Sequence, residues 1–255
     1  MAFDWSIFLN RVFAPSPIFL GALVNTVLIA VLAQVLGTVL GVLLATMGTA
    51  RSSVLRIVTF VYVWIMRGTP ALVQVFFLFY GLPLLLGIDI FPREIDVGPL
   101  TVTGAMIAGI VGLGLNEAAY MSEIVRAGIE SIDIGQREAA LMVGMTPAGA
   151  MRRIILPQAA RVVVPPLGNQ FNGMLKSTSM LAFIGVYEIF LDTQNGYSRT
   201  FKPAEYFLAV AVWYLLLTTI WGIIQAVIER RLSNDVRSAP LRGKALQAIE
   251  LDEAR

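Results

Sequence analysis

The sequence predicts an all-α membrane bundle of about five transmembrane helices, and three observations carry that prediction. The chain is 57% hydrophobic and only 14% charged, with a mean hydropathy of +0.75, too little polar surface to cover a water-soluble core. No Asp, Glu, Lys or Arg lies between Arg11 and Arg51, Arg67 and Asp89, Asp96 and Glu117, or Glu205 and Glu229. Each run is of the order of the roughly 20 residues that cross about 30 Å of hydrocarbon as a helix. The runs are continuous in Leu, Val, Ile and Ala rather than alternating, so they read as helices and not barrel strands.

Taken in order, the spans fall at about 19–47, 54–87, 101–127, 162–187 and 205–230. Residues 1–18 form an extracytoplasmic N-terminal segment, 19–231 the transmembrane domain, and 232–255 a tail rich in both charges. Thirteen Lys and Arg residues gather on the face holding 51–56, 126–161 and the C-terminus; four (Arg11, Arg93, Arg199 and Lys202) lie on the other. The positive-inside rule makes the first face cytoplasmic and leaves the N-terminus outside. The same end-of-span clustering accounts for the pI near 9.0 without nucleic acid.

The second span is too long for one straight crossing and too short for two. Arg67-Gly68-Thr69-Pro70 breaks it. Thr69 suits a helix N-cap and Pro70 a first turn, so a new helix starts there, the preceding piece lying obliquely near the cytoplasmic interface. A simple kink with Arg67 reaching to the headgroups is the alternative. Gly37 and Gly41 in span 1, and the glycines of span 3, read as packing surfaces.

With neither Cys nor His in the chain, thiol and imidazole chemistry and the usual zinc ligands are excluded. No GxxxxGK[ST] occurs, so this chain has no P-loop to hold a nucleotide. Catalytic and metal-binding residues are therefore not expected. Charged and strongly polar groups within spans are costly and become the candidates for function. Asn116, Glu117 and Tyr120 share one face of span 3; Asn172, Lys176, Ser177 and Thr178 follow one another in span 4. These seven either line a mid-membrane site for a zwitterion, Glu117 near its ammonium and Lys176 near its carboxylate, or Glu117 and Lys176 neutralise one another. The helix start at Thr69-Pro70 offers a second place for a carboxylate.

Between spans 3 and 4, residues 128–161 are charged and turn-prone. Gln136 to Val143 reads as a short helix ended by Gly144. Thr146 and Pro147 open a second helix that Pro157 stops. The result is a rigid cytoplasmic knob whose face carries Arg137 and Glu138, with Ala139, Ala140 and Gly144 small enough for close approach by another protein.

The knob also carries a motif. Glu138-Ala139-Ala140, three residues, Gly144, nine residues, Ile154, one residue and Leu156-Pro157 resembles without departure the EAA signature of membrane subunits of ATP-binding-cassette importers. Glu117-Ala118-Ala119 is a decoy, with Glu123 where the glycine belongs. The resemblance extends over about 19–231, and "RGTPALVQVFFLFYGLP", "NEAAYMSEIVRAGIESI" and "FNGMLKSTSMLAFIGVYE" are similar to the polar amino-acid branch. It implies a type I importer permease fold in a bacterial inner membrane, with a second identical or homologous permease subunit and two cytoplasmic ATPases that bind the ATP and Mg. An extracytoplasmic binding protein would deliver a polar amino acid. Residue by residue, it makes Glu138 the partner of a basic group on the ATPase, Ala139, Ala140 and Gly144 the packing surface, and Pro157 the point where the knob rejoins span 4, with Pro147 counted among the coupling residues. Glu188, Asp192, Arg199 and Lys202 become candidate contacts for the binding protein. The chain itself would be no enzyme and hold no cofactor. An ion-coupled secondary transporter of a small zwitterion is the alternative, although no second half mirrors the first.

Overall fold

A computed structural model describes residues 3–91, 94–97 and 100–234. Among the described residues, three helices are long and apolar enough to span a membrane unbroken: α2 (Pro17–Gly48), α6 (Gly104–Glu130) and α11 (Pro203–Asn234). Two bent pairs bring the number of spans to as many as five. The first pair joins α3 (Ser53–Gly68) to α4 (Ala71–Phe76), which continues through a π turn into α5 (Leu82–Leu86), with a bend of 108°. The second runs from α8 (Pro147–Ala150) through a π turn, α9 (Leu156–Ser177) and a 3-10 turn to Ile184, then bends by 51° into α10 (Ile189–Thr200).

Local chemistry sets several boundaries. Ser16 caps α2, its Oγ accepting from the Phe19 amide at 3.2 Å, and Pro17 fills the first turn. Thr103 does the same for α6. Before the first span, Asp4 caps an additional short helix, α1 (Trp5–Phe13). Ahead of α6 lies a two-stranded antiparallel hairpin, β1 (Glu94–Val97) and β2 (Leu100–Thr103), pairing Glu94 with Thr103 and Val97 with Leu100. α1, the hairpin and α10 are additions to the five-span plan. The tail from 235 onward lies outside the described residues.

The core forms where α2, α6, α9 and α4 meet, around Ile29, Ala33, Val75, Leu113, Leu175 and Leu181. Its tightest seam joins α2 to α6. A Cβ on Gly37 would lie 2.6 Å from Glu117 Cβ, and one on Gly41 2.5 Å from Met121 Cβ and 3.0 Å from the Ser122 amide nitrogen. Here glycine is required because backbone meets backbone, the small-residue packing that joins helices in lipid.

Pro157 does not end the knob's second helix. The chain passes from α8 into α9 through the π turn Met151–Ile155, where the Leu156 amide donates to the Met151 carbonyl. The wider turn accommodates a proline that can neither donate nor tolerate the usual carbonyl beneath its ring. Knob and fourth span are therefore one rod. Pro165 and Pro166 also lie inside α9, and α11 supplies donors there: Trp221 Nε1 to the Gly168 carbonyl at 2.8 Å and Gln225 Nε2 to the Pro165 carbonyl at 3.2 Å.

Candidate functional site

The break in the second span lies beside the middle of α6. The Tyr62 hydroxyl donates to the Leu115 carbonyl at 2.7 Å, and Asn116 Nδ2 to the Met66 carbonyl at 3.0 Å, so α3 climbs to about the midpoint of α6 before it ends. The cap is also one residue later than the sequence predicts. Thr69 closes α3, its hydroxyl donating to the Ile65 carbonyl at 2.9 Å, and Pro70 precedes α4 in extended conformation. Carbonyls freed by the break find side-chain amides. Gln74 Nε2 donates to the Met66 carbonyl at 2.9 Å and the Thr69 hydroxyl at 2.7 Å, while Asn116 Nδ2 also donates to Gln74 Oε1 at 3.0 Å. Non-helical backbone at this depth requires such partners.

One residue on, Glu117 is only 5% exposed. Its Oε1 accepts from Gln34 Nε2 at 3.0 Å and its Oε2 from Gln170 Nε2 at 3.3 Å. The ion pair with Lys176 is not formed: Lys176 is exposed and lies outside the space Glu117 faces. That space is a cavity of about 230 Å³ lined by Ala71, Leu113, Asn116, Glu117, Tyr120, Gln170, Gly173, Met174 and Ser177. The structure thus brings Asn116, Glu117, Tyr120 and Ser177 together. Asn172, Lys176 and Thr178 do not line the cavity. Ser177, Gly173 and Gln170 stand at i, i−4 and i−7 on one stripe of α9, whereas Lys176 and Asn172 occupy the adjacent stripe. Thr178 is buried, its hydroxyl donating to the Leu175 carbonyl at 2.9 Å. Gln34, Gln74 and Gln170 are the residues sequence reasoning missed; a polar amide within an apolar span was the available signal.

At the end of the bundle where α6 stops, the knob folds as α7 (Ile134–Met142) followed by α8. Asp133 Oδ1 accepts from the Gly135 amide at 2.7 Å. Gly144 adopts φ +85°, and the Met145 amide donates back to the Ala140 carbonyl at 3.1 Å. Thr146 Oγ1 accepts from the Gly149 amide at 3.1 Å, with Pro147 in the first turn of α8. Arg137, Glu138 and Ala139 are exposed, and a Cβ on Gly144 would meet nothing within 4 Å. Ala140 departs from the sequence reading. It is buried with Ala150 and belongs to the knob's interior rather than its outer face. The outer face has instead a feature the sequence reading passed over: Met142 is 88% and Val143 78% exposed.

The opposite end of the bundle uses charge to fasten elements together. Arg11 Nη1 lies 2.7 Å from Asp192 Oδ2, the Tyr187 hydroxyl donates to Asp192 Oδ1 at 2.7 Å, and the Arg11 guanidinium sits 4.5 Å from the centre of the Tyr206 ring. Lys202 pairs with Asp4, whose amide donates to Glu205 Oε1 at 2.8 Å. The bond from Lys202, then that from the Ser6 hydroxyl, hold the Asp4 carboxyl well below the usual carboxylate range. Glu188 is buried, accepting from the Leu191 amide at 2.7 Å and the Tyr214 hydroxyl at 3.0 Å. Of the four outer charges named as candidate contacts, Glu188, Asp192 and Lys202 therefore tie the fold internally, and Arg199 is exposed.

A bundle of up to five spans with a broken helix, a buried polar cavity and an EAA knob can be compared with known proteins. The family of binding-protein-dependent transport system inner membrane components matches residues 37–234. The chain belongs to this family. Among relatives of this permease, the probable amino-acid permease protein YxeN of Bacillus subtilis is 40% identical, covering 92% of this chain and 98% of its own. The probable amino-acid ABC transporter permease protein PatM of Vibrio harveyi is 42% identical over 91% and 98%. The glutamine transport system permease protein GlnP of Escherichia coli K12 is 34% identical over 91% and 99%. A solved crystal structure of an amino acid ABC transporter with histidines superposes with a TM-score of 0.78 at 32% identity, covering 91% of this chain and all of that one. The permease is thus a multi-pass membrane subunit of a binding-protein-dependent system, and the ion-coupled alternative falls.

Proposed function

We propose that this chain is the permease subunit of an ATP-driven importer for a polar amino acid, which passes through the Glu117 cavity. The observation that carries the reading is a buried carboxylate facing a cavity of about 230 Å³ beside a helix broken at mid-height. That volume is below the 300–1,000 Å³ of pockets for drug-sized ligands and suits a small solute. Glu117, oriented by Gln34 and Gln170, provides a negative oxygen pair for an ammonium, with the Asn116 and Ser177 side chains bordering the same space. Broken helices with polar groups at the membrane midplane are where transporters of several folds hold solute. The names of the amino-acid permeases to which this chain is similar support the same substrate class.

In this reading the knob faces the cytoplasm and the N-terminus lies outside, in a bacterial inner membrane, as the distribution of Lys and Arg favours. Two permease subunits, identical or homologous, stand over two ATPases that bind the ATP and Mg. An extracytoplasmic binding protein delivers the amino acid. Glu138, Ala139 and Gly144, with the apolar Met142 and Val143, dock into the ATPase. The unbroken rod from Pro147 to Ile184 then transmits motion of the knob directly to Gln170, Gly173 and Ser177 on the cavity wall. The test is reconstitution: the complex purified through this chain, in liposomes with its binding protein, accumulates a polar amino acid only with ATP. Glu138→Arg is expected to release the ATPase and reduce uptake more than tenfold while the permease stays folded. ATPase retention with full uptake would overturn the docking role, and accumulation without ATP the whole reading.

A further inference from the structure

The Glu117 cavity shares a wall with a larger space. A cleft of about 700 Å³ lies between α2, α3 and α6, lined by Gly48 at the end of α2, Arg56 and Trp64 on α3, and Glu123 and Arg126 on α6. It therefore sits at the knob end of the bundle. Tyr120 lines both spaces, and Arg67 lines the cleft, on the far side of the ring from the Glu117 cavity lining. The Arg67 guanidinium carbon is 5.5 Å from the centre of the Tyr120 ring, and its Nη1 is 3.9 Å from Glu123 Oε2. Glu123 is itself held by Arg126 at 2.8 Å, and Arg126 by Glu130 at 2.9 Å. Arg67 stands in the last turn of α3, immediately before the break. Of the sixteen residues in α3, Thr59 alone is buried within the chain.

We propose that Arg67 is a latch between the solute cavity and the exit cleft. Resting on Tyr120 and against Glu123 on the cleft side, it pins the ring that separates the two spaces; when α3 swings about Gly68–Pro70, Arg67 leaves the ring and the two spaces join. Both contacts are partly exposed, and such contacts are weak, so the latch is reversible. This inference rests on reading the Glu117 cavity as the solute site and adds the residue that controls release from it.

The chain contains no cysteine, so a single thiol placed by Ser177→Cys reports access to the cavity. In inside-out membrane vesicles holding the assembled complex, without ATP, a membrane-impermeant cationic methanethiosulfonate is expected to modify that thiol slowly. Adding Arg67→Gln should raise the rate at least tenfold, and Tyr120→Leu should do the same by removing the surface the guanidinium rests on. Arg67→Lys, which keeps the charge and reach, should stay near the slow rate. Equal rates with and without Arg67→Gln, in protein that Tyr120→Leu also leaves unchanged, would overturn the latch. ATP-driven uptake by the unsubstituted complex separates the two readings: uptake with equal labelling rates removes the latch alone, whereas a labelling increase without uptake removes the solute reading and keeps the closure.

Discussion

The α2–α6 seam and helix α3 stand side by side and are held in opposite ways. Along the seam the backbones approach so closely that Gly37, Gly41 and Gly114 leave no space for a Cβ, and Met121, Ala118 and Ala33 are fully buried. α3 runs beside that seam with Phe60, Trp64 and Ile65 exposed and a single buried residue. Two helices locked by shape form a reference frame; α3 is held to it by polar contacts, through Tyr62, the Met66 carbonyl and Arg67, and the proposed latch has it tilt there. Glu117 belongs to the locked part and Arg67 to the helix held by polar contacts. The Glu117 cavity is thus built on the frame, Tyr120 included, and the proposed latch sets Arg67 of α3 against that wall from the other side.

The sharpest way to break this comparison is to change side-chain size in each region. Gly41→Leu must push α2 away from the Met121 and Ser122 backbone, an overpacking cost of about 1–3 kcal/mol or more, and the protein is expected to lose its thermal transition in detergent or shift it strongly downward. Gly21→Leu, on the same helix where a Cβ meets nothing within 4 Å, should leave the transition nearly unchanged. Trp64→Leu on α3 should also have little effect. If Trp64→Leu destabilises as much as Gly41→Leu, α3 is part of the frame and the contrast is wrong.

A smaller effect is expected at the carboxylate embedded in the seam. Glu117→Ala leaves the Gln34 and Gln170 amides without their acceptor, and an unsatisfied buried donor costs about 1–3 kcal/mol. Glu117→Gln keeps the shape and an acceptor oxygen, so its stability should lie much closer to that of the parent. Both should reduce uptake at least tenfold, because neither offers a charge to an ammonium. Thermal unfolding and uptake measured together separate the roles: full uptake in Glu117→Gln would make the residue structural only.

The frame was more legible in the sequence than the moving part, for a physical reason. Continuous apolar runs and the Gly37–Gly41 spacing encode helices that pack in lipid, and Gly144, Thr146 and Pro147 encode turns through their own backbone preferences. The depth of the break at Arg67–Pro70 depends on where Asn116 and Tyr62 meet their partners, which is long-range information. Likewise, whether Ser177 or Lys176 faces the cavity is a question of about 100° of rotation, and charge drew attention to the wrong stripe. Pro157 looked like a stop because a single proline ordinarily ends an α-helix; a π turn spanning five residues upstream was invisible. Uncharged amides such as Gln34, Gln74 and Gln170 do not interrupt a hydropathy profile, although each hydrogen-bonds Asn116 or Glu117.

The corner where α1 meets α11, held by charge rather than by fit, sharpens the comparison through pH. Asp4 has its carboxyl held below the ordinary range by Lys202 and Ser6. A carboxyl whose folded-state pKa lies below its unfolded value, about 3.9, stabilises the folded corner above that pH and loses this contribution as pH falls through the lower folded value. α1 should therefore stay equally fastened to α11 at pH 7 and pH 5 and loosen only in stronger acid. Lys202→Met should loosen it at neutral pH as well, while the α2–α6 seam responds to neither change. Hydrogen exchange of the α1 amides is the measurement. Because Asp4 lies at the surface, where salt screens ion pairs, this is the smallest effect of the three, and high salt should mimic the Lys202 substitution. Unchanged protection of α1 in Lys202→Met would assign the fastening to Arg11 and Asp192, whose contact is more buried, and leave the Asp4 pair as a surface ornament.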